Sequence, residues 1–151
     1  MLSNIDIEEL CKKLNLPIVG VFSKDMMPDH HYIGSYYINM QDYDDGNGTH
    51  WVYCRIFDDG SAIYFDSYGF KCPMELQHFL KPFKPYAINN RQIQSLESTN
   101  CGLYCIACDV FFQYDSNKKM CIFENYDDFL NMWSKDPHKN DKILKEYLKK
   151  N

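Results

Sequence analysis

The stretch from Cys101 to Tyr114 limits more than any other what this chain can fold into. Leu103, Ile106, Ala107, Val110, Phe111 and Tyr114 recur at the spacing of one helix face, and Cys105, Cys108 and Phe112 make the other sides apolar too. A helix that is apolar on most sides has to be covered on most sides, so it belongs at the centre of a fold. The polar residues Ser98, Thr99 and Asn100 precede it and can cap its start. Cys101 then stands at the helix N-terminus, where the macrodipole and the free N–H groups favour thiolate over thiol. Gly102 beside it lets a substrate backbone come close. An isolated cysteine is usually an ordinary small core residue; the helix-start position followed by glycine sets this one apart.

The second constraint is a β-hairpin. His50–Phe57 and Ser61–Asp66 are rich in strand formers and flank Asp58, Asp59 and Gly60. His50 opens the first strand and Asp66 closes the second, so both sit at the same end of the hairpin. If Asp58, Asp59 and Gly60 form the loop, Phe57 faces Ser61. Asp66 then falls opposite Val52, the next residue on the face of His50, within diagonal reach of an imidazole. A two-residue Asp59-Gly60 loop would put His50 and Asp66 on opposite faces.

The remaining pattern is shorter-ranged. Residues 5–14 read as an amphipathic helix ended by Asn15 and Pro17, 18–31 as a loop, 32–40 as a strand, and 42–49 as a polar loop. Residues 74–81 suggest a short helix stopped by Pro82, and 86–94 a further strand. Two helices are expected over 126–134 and 140–150, separated by Asp136-Pro137. With 151 residues and 45% hydrophobic content, one domain spanning 1–151 is expected to form a real core. The fold class is α+β: a small, mostly antiparallel sheet packed on a central helix that begins at Cys101.

Several functions are disfavoured. The formal charge of −5 gives nucleic-acid binding no support, and the basic run at Lys145–Lys150 is interrupted by Glu146. No run of apolar residues is long enough for a membrane span, and the acidic N-terminus lacks the apolar core of a secretory signal. The odd count of seven cysteines fits reduced thiols rather than a disulfide scaffold. Cys105 and Cys108 have redox spacing but lie inside the helix, so they read as core residues. His30 and His31 have no nearby cysteine partner for zinc, and the acidic loop with Asp42, Asp44 and Asp45 lacks the terminal Glu of a calcium loop. No metal or cofactor is therefore expected.

What remains is nucleophilic chemistry. A thiol needs a base within hydrogen-bond reach, and the base needs an orienter. His50 can take the Cys101 proton and return it to a leaving amine, while Asp66 holds the imidazole tautomer. Acyl transfer also needs donors for the oxyanion. The Gln94 side-chain amide and the backbone N–H of Cys101 are the candidates.

The segments Gly48-Thr-His-Trp51, Tyr64-Phe-Asp-Ser-Tyr-Gly69 and Gln94-Ser-Leu-Glu-Ser-Thr-Asn-Cys-Gly-Leu-Tyr-Cys105 resemble the adenovirus-type endopeptidases and the wider clan that includes proteases of ubiquitin-like modifiers. Upstream, Gly20-Val-Phe-Ser-Lys-Asp25, Pro28 and Tyr37-Ile-Asn39 resemble the N-terminal part of such proteases from adenoviruses, virophages and related large DNA elements. The likeness covers about residues 18–112. It implies a papain-like (adenain-like) fold, Cys101 as nucleophile, His50 as base, Asp66 as third member, Gln94 as oxyanion donor, and Trp51 and Gly102 flanking the site. It further implies maturation of capsid or other virion precursors after small residues such as glycine. The expected setting is the virion and the host-cell cytoplasm, in the virus factory, and the expected state a monomer. Two other activities share the same triad or fold: removal of ubiquitin-like modifiers ending in Gly-Gly, and acetyl transfer. An inactive interaction module is the alternative outside enzymology.

Overall fold

The computed structural model describes residues 1–42 and 50–150. Five strands form one sheet in the order β1 (Ile18–Ser23), β2 (Gly34–Asn39), β3 (Trp51–Ile56), β4 (Ala62–Phe65), β5 (Ala87–Ile88). The three central strands are antiparallel, as expected, but each edge strand joins in parallel, so the sheet is mixed rather than mostly antiparallel throughout. Five α-helices surround it: α1 (Asn4–Lys13), α2 (Met74–Leu80), α3 (Cys101–Val110), α4 (Ile122–Asn131) and α5 (Asn140–Lys150).

The two faces of the sheet carry separate cores. Tyr37, Trp51, Tyr53, Ile63 and Phe65 point to α3, together with Ile7 and Cys11 of α1, Phe129 of α4 and Leu144 of α5. Tyr36, Ile38, Val52, Cys54 and Tyr64 point the other way, against Leu76, Phe79 and Leu80 of α2. Strands β3 and β4 are thus covered on both sides, which is why their sequences are apolar almost without interruption. Helix α3 is buried from Cys101 to Val110 apart from Leu103, in keeping with its all-round apolar surface. Its helical path continues as a π-turn over Phe111–Asp115, where Ser116 N–H donates to the Phe111 carbonyl.

One polar residue of α3 is as buried as its neighbours. Asp109 accepts hydrogen bonds from Ser35 Oγ at 2.8 Å, Tyr37 Oη at 2.7 Å and Tyr53 Oη at 2.9 Å, with Arg55 Nη1 at 3.4 Å. Burial pushes its carboxyl above the ordinary range, against the pull of these donors. The network pins α3 to β2 and β3 in one register.

Three expectations change. Residues 18–31 do not form a continuous loop, because Ile18–Ser23 is a strand. Its parallel partner lies outside any local hairpin, its register shifts between Ile18 and Gly20, and all six residues are only half-buried, so the sequence there shows no alternation. The strand expected over 86–94 ends at Ile88. The reason is Asn89, whose side chain accepts the Asp66 N–H at 3.0 Å and donates to the Asp66 carbonyl at 2.6 Å. That amide does what a further backbone rung would have done. Helix α4 begins at Ile122 and ends at Asn131, earlier at both ends than the expected 126–134. The loop with Asp44, Asp45, Gly46 and Gly48 lies outside the described residues.

The hairpin loop is the three-residue one. Ile56 pairs with Ala62 and Tyr53 with Phe65, Phe57 N–H donates to Ser61 O, and Gly60 has φ +86°. A Cβ on Gly60 would meet no atom, whereas one on Gly69 (φ +72°) would stand 2.7 Å from the Arg91 carbonyl. Gly60→Ala should therefore cost about 1–2 kcal/mol, from the left-handed backbone alone. Gly69→Ala should cost clearly more. Urea unfolding of the two variants checks the order.

Candidate active site

His50 immediately precedes β3, and Asp66 immediately follows β4. The loop parity described above brings them together. His50 Nε2 lies 2.8 Å from Asp66 Oδ1. A carboxylate facing Nε2 makes that nitrogen the proton-bearing one, so a neutral ring presents its lone pair at Nδ1. Nδ1 is buried and makes no well-formed hydrogen bond among the described residues. Cys101 is a second side chain that acts on the ring. Burial on its own lowers the pKa of His50, but the bonds to Asp66 and then Cys101 outweigh it and hold the pKa up at about 9.

Asp66 is fully buried and held from four directions. Oδ1 accepts the Tyr68 N–H at 2.9 Å as well as His50, its backbone is clasped by Asn89, and its carbonyl accepts the Gly69 N–H at 2.8 Å. The tight turn Asp66–Gly69 thus fixes the carboxylate before the imidazole meets it.

Cys101 is the first residue of α3 and is 1% exposed. Asn100 occupies the N-cap position but makes no side-chain cap bond, and the Ser98 hydroxyl is taken up by Asn100 N–H at 3.2 Å and Asp141 at 2.9 Å. The expected cap by Ser98, Thr99 or Asn100 is therefore missing as a side-chain bond. Among the described residues no side chain caps the first turn of α3 at the N-cap position.

The flanking residues are placed differently from expectation. Trp51 is fully buried on the α3 side of the sheet, and its indole N–H donates to the Leu2 carbonyl at 2.9 Å. A Cβ on Gly102 would stand 2.9 Å from Leu2 Cδ1. The close approach that Gly102 permits is thus to Leu2 of this same chain, which lies between Trp51 and the start of α3.

Gln94 is fully buried, and both ends of its amide are engaged. Oε1 accepts from Ser67 Oγ at 2.6 Å, while Nε2 donates to the Ser98 carbonyl at 3.0 Å and to Ser98 Oγ at 3.3 Å. A carbonyl oxygen can only accept, so the NH2 faces Ser98, three residues before Cys101.

Several residues were not singled out in the sequence. The Tyr68 ring lies 4.8 Å from that of His50 and 5.3 Å from Phe70 (ring centroids), and its hydroxyl donates to the Ser98 carbonyl at 3.2 Å. Its signal was its place two residues past Asp66. Asp141, at the start of α5, accepts from Ser98 Oγ and from Tyr104 Oη at 2.8 Å. Nothing local marks a residue forty positions beyond Cys101. Asn89 and Ser67 complete the support.

The other candidates stay apart. Cys105 and Cys108 are enclosed in α3, and burial drives both thiols well above the ordinary range. His31 Nε2 meets the Phe79 carbonyl at 2.8 Å, and its ring packs on Phe79. All seven cysteines are free. No cluster of three or more His, Cys, Asp or Glu side chains among the described residues could hold a metal ion. Among the described residues no helix is long and apolar enough to cross a membrane. A cavity of about 390 Å³ lies at the hairpin-loop end of the sheet beside Arg55, Asp58 and Asn117, remote from His50 and Asp66 at the strands' other end.

The fold is that of a protease of known structure. The crystal structure of the ASFV pS273R protease superposes with a TM-score of 0.58 at 16% sequence identity, over 95% of this chain. The chain spans about 65% of the length of that protein. At this identity the likeness establishes the fold alone. No protein-family model matches the sequence, and no curated protein does so either.

A pH consequence follows from His50. Its folded pKa of about 9 lies above the ordinary 6.5, so the pairing stabilises the fold fully below about pH 6.5 and ceases to as pH rises through about 9. The stability advantage of the wild type over His50→Gln should shrink across that window in urea titrations. The imidazole resonance should titrate near pH 9. Asp66→Asn should drop that midpoint below 6.5, because burial then dominates.

Proposed function

We propose that the chain is a cysteine endopeptidase of viral type, one domain over residues 1–151, with Cys101 as nucleophile, His50 as general base and acid, and Asp66 as orienter. The observation that carries this reading is the His50 ring. Asp66 holds one nitrogen, the other is buried without a hydrogen bond among the described residues, and Cys101, in the first turn of a helix, also acts on the ring.

The chemistry runs as an acyl transfer. His50 Nδ1 receives the thiol proton, and Cys101 Sγ attacks the scissile carbonyl carbon. The oxygen takes up the negative charge and is met by the Cys101 N–H and one N–H of Gln94. The intermediate collapses as the C–N bond breaks and the amine leaves with the proton from His50. Water, deprotonated by His50, then hydrolyses the thioester and restores the thiol.

The sequence resemblance to adenovirus-type endopeptidases and the fold likeness to the ASFV protease together support capsid or other virion precursors as substrates, cut after small residues such as glycine. The same reading has the enzyme act as a monomer, on protein rather than nucleic acid, in the virus factory and the virion.

Iodoacetamide at limiting dose should alkylate Cys101 well before the exposed Cys121; equal or slower labelling of Cys101 sinks the reading. Cys101→Ala should abolish trimming of the capsid precursors encoded beside this chain when they are co-expressed. Gln94→Ala should lower turnover roughly 10²–10³-fold while leaving Cys101 alkylation unchanged.

A further inference from the structure

The Gln94 amide is not held by the residues of the triad. Its Nε2 donates to a single residue, Ser98, at the carbonyl and at the hydroxyl. A hydroxyl has one proton to give and two lone pairs. The Ser98 proton goes to Asp141 Oδ1 at 2.9 Å, so the oxygen can only accept from Gln94 and from the Asn100 N–H. Asp141 is itself fixed by the Tyr104 hydroxyl, from α3. The Ser98 carbonyl gathers a second donor, the Tyr68 hydroxyl, from the residue whose ring packs on His50. The segment between the oxyanion donor and the nucleophile is therefore tied at one point to α3, to α5 and to the Asp66 turn.

We propose that Ser98, its hydroxyl oriented by Asp141, is the positioning residue that aims the Gln94 amide at the developing oxyanion. Ser98 touches no reacting atom. It sets the direction of one N–H by being an obligate acceptor, and Asp141 makes it one. The inference rests on the reading of Cys101 as nucleophile and Gln94 as oxyanion donor. It adds that a carboxylate on the last helix of the chain governs turnover.

The direction of effect is specific. Losing the Ser98 hydroxyl removes one of the three hydrogen bonds that hold the amide, which loosens its aim, weakens stabilisation of the tetrahedral intermediate and leaves the Cys101–His50 pair intact. Alkylation by iodoacetamide passes through no oxyanion, whereas hydrolysis of p-nitrophenyl acetate does. The two readouts separate positioning from general structural damage.

In the full-length protein, Ser98→Ala should lower kcat for p-nitrophenyl acetate roughly tenfold or more, with KM and the alkylation rate of Cys101 nearly unchanged. Ser98→Thr, which keeps the hydroxyl, should restore turnover. Asp141→Asn keeps an acceptor oxygen and should stay near wild type, whereas Asp141→Ala should behave like Ser98→Ala. The decisive comparison is a double-mutant cycle. In a Gln94→Ala background, Ser98→Ala should cause no further loss, because it acts through that amide.

Unchanged turnover in Ser98→Ala overturns the proposal, as does an equal fall in turnover and alkylation. Additive losses in the cycle overturn it too, and show Ser98 acting elsewhere. If Ser98→Ala does not fold, the contrast between Asp141→Asn and Asp141→Ala decides alone, and equal activity in the pair overturns the proposal. Failure of the underlying reading looks different. Wild-type protein that hydrolyses no ester or leaves Cys101 unlabelled removes the nucleophile. An inert Gln94→Ala removes the oxyanion donor while Cys101 stands.

Discussion

The arrangement around His50 depends on the parity of one turn. Side chains along a strand alternate between faces, so moving the β3–β4 register by one residue would carry Asp66 to the far side of the sheet from His50. The register is set at Asp58, Asp59 and Gly60, at the other end of the hairpin from the histidine. Gly60 supplies the left-handed residue that a three-residue loop needs, and Asp59 secures it by accepting the Ser61 N–H at 2.9 Å. The two strands then transmit that choice over their length. Both are buried on both faces, and a slip would exchange the aromatic side chains of two different cores.

The second requirement is that α3 present Cys101 to the ring at the sheet's end. An apolar helix on an apolar sheet is free to slide, because one hydrophobic contact substitutes for another at little cost. Asp109 removes that freedom. Its carboxylate is satisfied only where Ser35, Tyr37 and Tyr53 all reach it, and a displacement of the helix would strand a buried charge. The polar network thus contributes specificity of placement more than net stability. It sits two turns below Cys101, near enough that the position of one fixes the position of the other.

The sequence disclosed what is local or periodic. The helix from Cys101, the hairpin and the shared end of His50 and Asp66 follow from spacing within a few residues, and the structure places them together. Strand β1 was obscured because a half-buried parallel edge strand has neither alternation nor a hairpin turn to announce it. Strand β5 was overextended because Asn89 replaces backbone pairing with a side-chain amide, which no propensity records. Tyr68, Ser98 and Asp141 share this difficulty. Each matters through a partner fixed by tertiary structure, and each is an ordinary polar or aromatic residue where it stands in the chain. Gly102 is expected from the sequence to admit a substrate backbone, whereas the atom nearest a Cβ there is Leu2 Cδ1, about a hundred positions away in the chain.

The charge state of His50 connects these layers. A buried imidazolium is costly, and burial is the largest single influence on this ring, acting to discharge it. The pKa of the ring is nevertheless raised, by Asp66 first and by Cys101 second, so the geometry that supplies both partners sets its basicity. That geometry is the hairpin parity on one side and the Asp109 anchor of α3 on the other. Among the described residues Asp66 in turn has one carboxylate oxygen engaged, shared between His50 and the Tyr68 N–H. The orienting force on the imidazole is therefore concentrated in a single contact rather than spread over a network, and small movements of the Asp66–Gly69 turn would change the basicity of His50 directly. The clasp of Asn89 on the Asp66 backbone and the absence of room for a Cβ at Gly69 both suppress that movement. Rigidity is placed where one hydrogen bond decides the protonation of the ring.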